Sequence, residues 1–292
     1  LSVFKGSGKV PVTPDDPPFF ERIAVVPVGV TPGSIVLADL NNDGNLDIAI
    51  SLWDRFGAML GNGDGTFGSE IISPASGFDS RSIALGDLNG DGNVDLVASH
   101  APGNWWIAVH LGNGNGSFAL SAVIPNSALA VPHVRLADVE GDGDLDIVSG
   151  SFEGGVAFKV FENDGSANFT LRNVAGSGPI VLLAGDLNGD GAPDVITAGG
   201  TTASAWINDG SGGFLPPTNY TVGDQPRHAV IADVNGDGVA DVAMVTVNIF
   251  NGTPGASGSL WIMPGNGDGT FGTPYRIETY RNNYTIGAGN FD

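Results

Sequence analysis

The sequence has no cysteine. That excludes disulfides and thiolate metal sites and is compatible with any compartment. Basic residues are scarce: 11 Lys and Arg stand against 32 Asp and Glu in 292 residues, a formal charge of −21. Lysine occurs only at Lys5, Lys9 and Lys159. Such a balance argues against nucleic acid or an anionic membrane as partner, because both require a basic face. No apolar run reaches transmembrane length, so no membrane insertion is expected. There is no signal peptide and the first residue is Leu1 rather than Met, which reads as a mature product or a fragment. Glycine is abundant, 46 residues, but without the three-residue period of collagen. With 41% hydrophobic residues the chain can bury a core, and its Gly, Asn and Asp content is the turn chemistry of many short strands.

Self-similarity organises the chain. DLNNDGNLD begins at Asp39, DLNGDGNVD at Asp87, DVEGDGDLD at Asp138, DLNGDGAPD at Asp186 and DVNGDGVAD at Asp233, at intervals of 48, 51, 48 and 47 residues. A Gly-Asn turn follows each, as in LGNGDGTF (60–67), LGNGNGSF (111–118) and PGNGDGTF (264–271). Short apolar runs flank both elements, giving four strands per repeat of about 50 residues, the period of a propeller blade. The expected fold is therefore an all-β propeller of four-stranded antiparallel blades, with about six blades in the chain, or part of a seven-bladed ring. Full blades are expected over 34–80, 82–130, 133–177, 180–225 and 228–281, within a single domain. The acidic loop joins the first and second strands and the Gly-Asn turn the third and fourth, so both lie on one face.

The acidic loop has the pattern of a hard-cation site. Positions 1, 3, 5 and 9 are Asp39, Asn41, Asp43 and Asp47; Asp87, Asn89, Asp91 and Asp95; Asp138, Glu140, Asp142 and Asp146; Asp186, Asn188, Asp190 and Asp194; and Asp233, Asn235, Asp237 and Asp241. Position 7 varies (Asn45, Asn93, Asp144, Ala192, Val239), as expected if it supplies only its carbonyl. Ca²⁺ takes six to eight such oxygens. Without a cation, two carboxylates about 4 Å apart repel by about 4 kcal/mol at an effective dielectric near 20, which argues against a bare turn repeated five times. Glycine at position 6 suits a sharp turn with positive φ. Apolar residues at positions 2 and 8, such as Leu40 and Leu46, are expected to anchor the loop. Five Ca²⁺ would bring −21 to −11. An EF-hand is excluded because position 12 is Ile50, Ala98, Ser149, Thr197 and Met244, in strand-like runs. Mg²⁺ fits less well, since it retains several waters. Glu140 makes the third loop the outlier.

These loops, followed by GNGDGTFG, resemble the FG-GAP or VCBS repeat found in integrin α-subunit propellers and many bacterial surface proteins. Phe67-Gly68 and Phe271-Gly272 carry the Phe-Gly part, whereas Gly-Ala-Pro is absent from its usual place. The resemblance implies a propeller, often seven-bladed, with calcium at loop positions 1, 3, 5, 7 and 9. It also implies an extracellular or cell-surface role in adhesion or ligand binding more often than catalysis.

In such propellers ligand sites are expected on the face away from the calcium loops or between blades. Trp53 and Trp105 precede third strands, where an exposed ring can stack on sugar C–H faces; packing between blades is the competing role, more so for Trp106, Trp206 and Trp261. His100, His133 and His228 lie at strand ends on that face with Arg227 nearby. No zinc spacing or Gly-x-Ser-x-Gly elbow occurs, and the remaining acids single out no catalytic pair. The expected partner is thus a glycan or an extracellular protein. A structural subunit forming a homo-oligomer or filament is the alternative, and a carbohydrate-active enzyme a third reading. At the ends, residues 1–30 and 282–292 read as two parts of one further blade, with Asn290, Phe291 and Asp292 at loop positions 1 to 3.

Overall fold

The computed structural model describes residues 2–6, 20–25, 28, 32–75, 80–100, 106–125, 133–150, 155–176, 181–223, 225–247, 258–278 and 286–288. All of the regular structure among them is β. Strands β1 (Ser2–Gly6) and β2 (Phe20–Val25) form an antiparallel pair. Five four-stranded sheets follow. The first contains β3 (Ile35–Ala38), β4 (Asp47–Ser51), β5 (Arg55–Met59) and β6 (Ile71–Pro74). The second contains β7 (Ser80–Gly86), β8 (Asp95–His100), β9 (Trp106–Gly112) and β10 (Phe118–Pro125). The third contains β11 (Val134–Ala137), β12 (Asp146–Gly150), β13 (Val156–Asn163) and β14 (Phe169–Ala175). The fourth contains β15 (Val181–Gly185), β16 (Asp194–Gly199), β17 (Thr202–Trp206) and β18 (Thr218–Thr221). The fifth contains β19 (Gln225–Ala232), β20 (Asp241–Val247), β21 (Ser259–Met263) and β22 (Tyr275–Glu278). Each is an antiparallel meander in chain order, as in a propeller blade. The fold is the propeller class expected from the repeats. β7 and β19 begin at Ser80 and Gln225, slightly before the expected blade starts.

The chain divides into two compact units. One comprises Leu1–Asp87, Asp91–Pro125 and Gly289–Asp292; the other comprises Leu88–Gly90 and Asn126–Ala288. Within each unit the cores lie between consecutive blades. Phe56 and Ala58 of the first blade pack with Leu96, Ala98 and Phe118 of the second. Phe158 and Val160 pack with Val195 and Trp206, and Ile196 and Ala205 with Met244 and Phe271. A second strand is thus covered on both faces, which is why LDIAIS and VDLVAS are continuous apolar runs rather than alternating ones. The pairing of 282–292 with the N-terminal strands falls mostly outside the described residues.

The Gly-Asn turn fastens one blade to the preceding one. Phe118 N donates to Ser73 Oγ (2.8 Å), and Phe271 N to Tyr220 Oη (2.9 Å) with the two rings edge to face. The Phe214 ring meets Phe158 in the same manner, at 5.1 Å.

Candidate functional site

Each acidic loop closes a hairpin whose first paired residues are a small one and the ninth-position aspartate: Ala38 with Asp47, Gly86 with Asp95, Ala137 with Asp146, Gly185 with Asp194 and Ala232 with Asp241. The turn is made with left-handed residues at positions 4 and 6. Position 4 is Asn42 (φ 58°) or glycine, and position 6 is glycine throughout, from Gly44 (φ 85°) to Gly238 (φ 84°). Asparagine and glycine are the residues that accept this conformation at low cost.

The carboxylates hold the turn through its amides. Position 1 accepts from the glycine N–H at position 6 in every loop: Gly44 to Asp39, Gly92 to Asp87, Gly143 to Asp138, Gly191 to Asp186 and Gly238 to Asp233, at 2.8–3.0 Å. Position 5 accepts from the N–H of position 7, as Asn45 to Asp43, Asn93 to Asp91, Asp144 to Asp142, Ala192 to Asp190 and Val239 to Asp237. Asn41, Asn188 and Asn235 accept from position 5. For the second loop, residues 88–90, including Asn89, group with the other unit. Bonds from Asn41 and from the Asn45 amide hold Asp43 below the usual carboxylate range, and amide bonds led by Gly238 do the same for Asp233.

Position 9 plays a part that spacing alone does not reveal. Asp47 is fully buried; its Oδ2 accepts from Leu40 N (2.7 Å) and its Oδ1 from Gly61 N, in the Gly-Asn turn (2.7 Å). The same pair of bonds joins Asp146 to Val139 N and Asn163 N, Asp194 to Leu187 N and Asn208 N, and Asp241 to Val234 N and Gly265 N. Asp95 accepts from Gly112 N. This aspartate ties the two turns of a blade together. Burial pushes the Asp194 carboxyl up against the downward pull of its two amide bonds.

Two expectations need correction. Leu46, at position 8, is 63% exposed and anchors nothing; its carbonyl, not its side chain, abuts Gly61. Val234, at position 2, is 47% exposed, unlike Leu40, Leu88, Val139 and Leu187. Glu140 also departs from the asparagines at its position. Its side chain packs toward Gly212, and its carboxyl is pushed up to about 8 by burial, then by the neighbouring Asp146 and Glu162. Asp144 is raised by burial and then by Asp142 and Asp138, so the third loop is crowded with acid.

Among the described residues no three acidic or imidazole side chains converge tightly enough to hold a metal. The donor chemistry nevertheless fits a hard cation. Position 5 is exposed in all five loops and position 1 is at least partly so, and in the first, fourth and fifth loops the position 3 asparagine oxygen accepts from the position 5 amide. Between the third and fourth loops lies a cavity of about 580 Å³ lined by Asp138, Asp186, Asp190, Gly191 and Gly210.

On the opposite ends of the strands the aromatic and basic candidates separate. Trp53 is 47% exposed in the β4–β5 loop, whereas Trp105 lies outside the described residues. His100 is corrected: it is 1% exposed, within 3.1 Å of Ser80 Oγ and stacked on Trp106, because β8 is buried along its whole length. His133 is partly buried and its carbonyl accepts from Gly150 N. Arg227 and His228 are partly buried on β19. Trp206 is buried with its Nε1 donating to Thr197 Oγ1, and Trp261 packs in the core. Sequence reasoning missed His110. It is fully buried, edge-on to Phe56 at 4.9 Å, with both ring nitrogens unpartnered, and burial, then His100, lowers it to about 4.

The FG-GAP-like repeat model matches residues 54–98, 87–149, 138–197 and 186–244. The chain belongs to the FG-GAP-like repeat family. No curated protein sequence matches it. Among solved structures, it is similar to an Agrocybe aegerita lectin solved for its specific recognition of non-reducing terminal N-acetylglucosamine. Identity is 21% and the TM-score 0.58, covering 88% of this chain and 67% of the lectin chain. It is also similar to the V. cholerae biofilm matrix protein Bap1, at 20% identity and a TM-score of 0.50, over 86% of this chain and 39% of that one. At these identities the similarity establishes the propeller fold of this FG-GAP-like chain.

Proposed function

We propose that this FG-GAP-like propeller is an extracellular or cell-surface binding module, stiffened by calcium in its acidic loops, that takes a glycan or protein ligand on the opposite face. The observation that carries it is the fivefold loop. Carboxylates at positions 1 and 5 recur on one backbone geometry, each accepting from loop amides, while the ninth carboxylate binds the loop to its blade. About five Ca²⁺ would be held, each ninth carboxylate offering its remaining lone pairs. Calcium there supplies charge neutralisation in a −21 chain and rigidity, not chemistry. An affinity on the order of 10⁻⁴–10⁻³ M per site, that of extracellular modules, fills such sites outside cells. The similarity to a sugar-specific lectin and a biofilm matrix protein, and an exposed Trp53 ring, support binding over catalysis.

The test has two arms. Chelator should lower the melting temperature beyond any ionic-strength effect, with calcium found by elemental analysis; absence of both refutes the metal. A glycan array and a pull-down with the calcium-loaded protein address the ligand, and silence in both counts against a binding module. A second reading, a subunit of a coat or filament, is favoured by exposed apolar residues on fourth strands: Ile72, Leu120, Val123, Leu171 and Ile277. Light scattering that shows only monomers removes it.

A further inference from the structure

In so acidic a chain, arginine without a carboxylate is anomalous. Arg55 lies 3.2 Å from Asp54, Arg172 pairs with Glu162 at 2.5 Å and Arg276 with Glu278 at 2.6 Å. Arg135 and Arg227 pair with no carboxylate among the described residues. Arg135, on β11, donates Nη1 to the carbonyl of its own neighbour, Val134 (2.8 Å). Arg227 occupies the bulge that shifts the β19 register between Pro226 and His228, and its buried Nε has no acceptor. Bulges re-aim side chains and recur beside functional sites.

The two arginines belong to one locality. β15 packs against both β11 and β19. Burial lowers the His228 imidazole and the charge of Arg135 lowers it further, so β11 and β19 bring their basic groups within electrostatic reach. Arg135, His228 and Arg227 stand three, five and six residues before the loop aspartates Asp138 and Asp233. At ~3.3 Å per residue that is about 10–20 Å from the loop carboxylates. A guanidinium removed from water without a counter-ion is costly, whereas its planar fork matches an oxyanion.

We infer that Arg135, Arg227 and His228 form a site for the oxyanion, carboxylate or sulfate, of an acidic saccharide. This deepens the binding reading above and rests on it: the ligand would be anionic, at the end of the strands away from the calcium loops.

The experiment titrates the calcium-loaded full chain with glucuronate, inorganic sulfate and glucose at matched ionic strength, followed by thermal shift and calorimetry. Glucuronate should raise the melting temperature saturably and glucose should not, with the response lost in Arg135→Gln and Arg227→Gln. Sulfate also stabilises proteins by exclusion from their surface, so only its variant-sensitive part counts; a sulfate response alone assigns the site to sulfated rather than carboxylated sugars. Without anion, both variants should melt at or above the parent, since each removes a guanidinium that pairs with no carboxylate among the described residues. The inference is overturned if glucuronate and sulfate act equally on parent and variants, or not at all. It is overturned too if both variants melt well below the parent, or if only an acidic peptide protects. In any of these cases, neutral glycans captured on the array leave the wider binding reading standing, and an empty array removes that as well.

Discussion

Replacing Asp194 by alanine separates the fastening role of the ninth aspartate from cation binding. Its Oδ2 accepts from Leu187 N at 2.9 Å and its Oδ1 from Asn208 N at 2.8 Å, and all three residues are buried. Alanine leaves two buried amides without acceptors, each worth about 1–3 kcal/mol. The expected loss is therefore about 4 kcal/mol, a large share of the stability of a typical domain. Asp190, in the same loop, is exposed and its Oδ1 accepts from Ala192 N. Asp190→Ala should cost about 0.5–1 kcal/mol in the absence of metal. Urea unfolding in excess EDTA reads both without any contribution from calcium, with an unchanged m-value as the check that only stability has moved. Asp194→Asn should fall between them, because its amide group offers one acceptor and sets a donor against the other N–H. Equal costs for Asp190→Ala and Asp194→Ala in EDTA would refute the reasoning.

Acid should weaken the packing around His110. A folded-state value of about 4 against an ordinary 6.5 means the fold prefers the neutral ring, so this contribution is complete above pH 6.5 and is lost as the pH falls toward 4, about 3 kcal/mol in all. The difference in melting temperature between the parent and His110→Phe, followed from pH 7 to 4.5, isolates it; a difference independent of pH contradicts it. Gly112→Ala should destabilise by more than about 2 kcal/mol, because its Cβ would lie 2.1 Å from the Val94 carbonyl oxygen, whereas Gly68→Ala, with nothing nearer than 3.6 Å, should be close to neutral in the same denaturation assay. Glu140→Asn should raise the melting temperature of the metal-free protein at pH 7 and above, where its raised carboxyl penalises the fold; an unchanged or lowered value refutes this.

The blades and their order were legible because the turn chemistry is local. Asp, Asn and Gly at fixed spacing make the hairpin, and runs such as LDIVSG mark a strand covered on both faces. What stayed hidden depends on residues distant in sequence. Asp47 reads as one more ligand until Gly61 N, fourteen residues on, is seen to donate to it. His100 reads as a loop-end histidine until Trp106 stacks on it. Asn208 stands where Gly61 and Gly112 stand in other turns, a change without meaning in the sequence; in the structure its Nδ2 donates to the Val139 carbonyl of the preceding blade at 2.8 Å. Arg135 carried no signal, since one arginine in VRLA is ordinary until the acids that usually accompany it are found to be elsewhere.

The turn phenylalanine bears on how such a chain can change its length. Phe118 meets the third residue of β6, and Phe271 the third residue of β18. At these two joints the incoming repeat presents the same plug to a socket on the fourth strand of the repeat before it. A duplicated segment of about 50 residues enters the array with both of its joints already made. Blade number in this lineage is accordingly a quantity that gene duplication can alter in a single event, while each socket restricts drift at the few positions that line it.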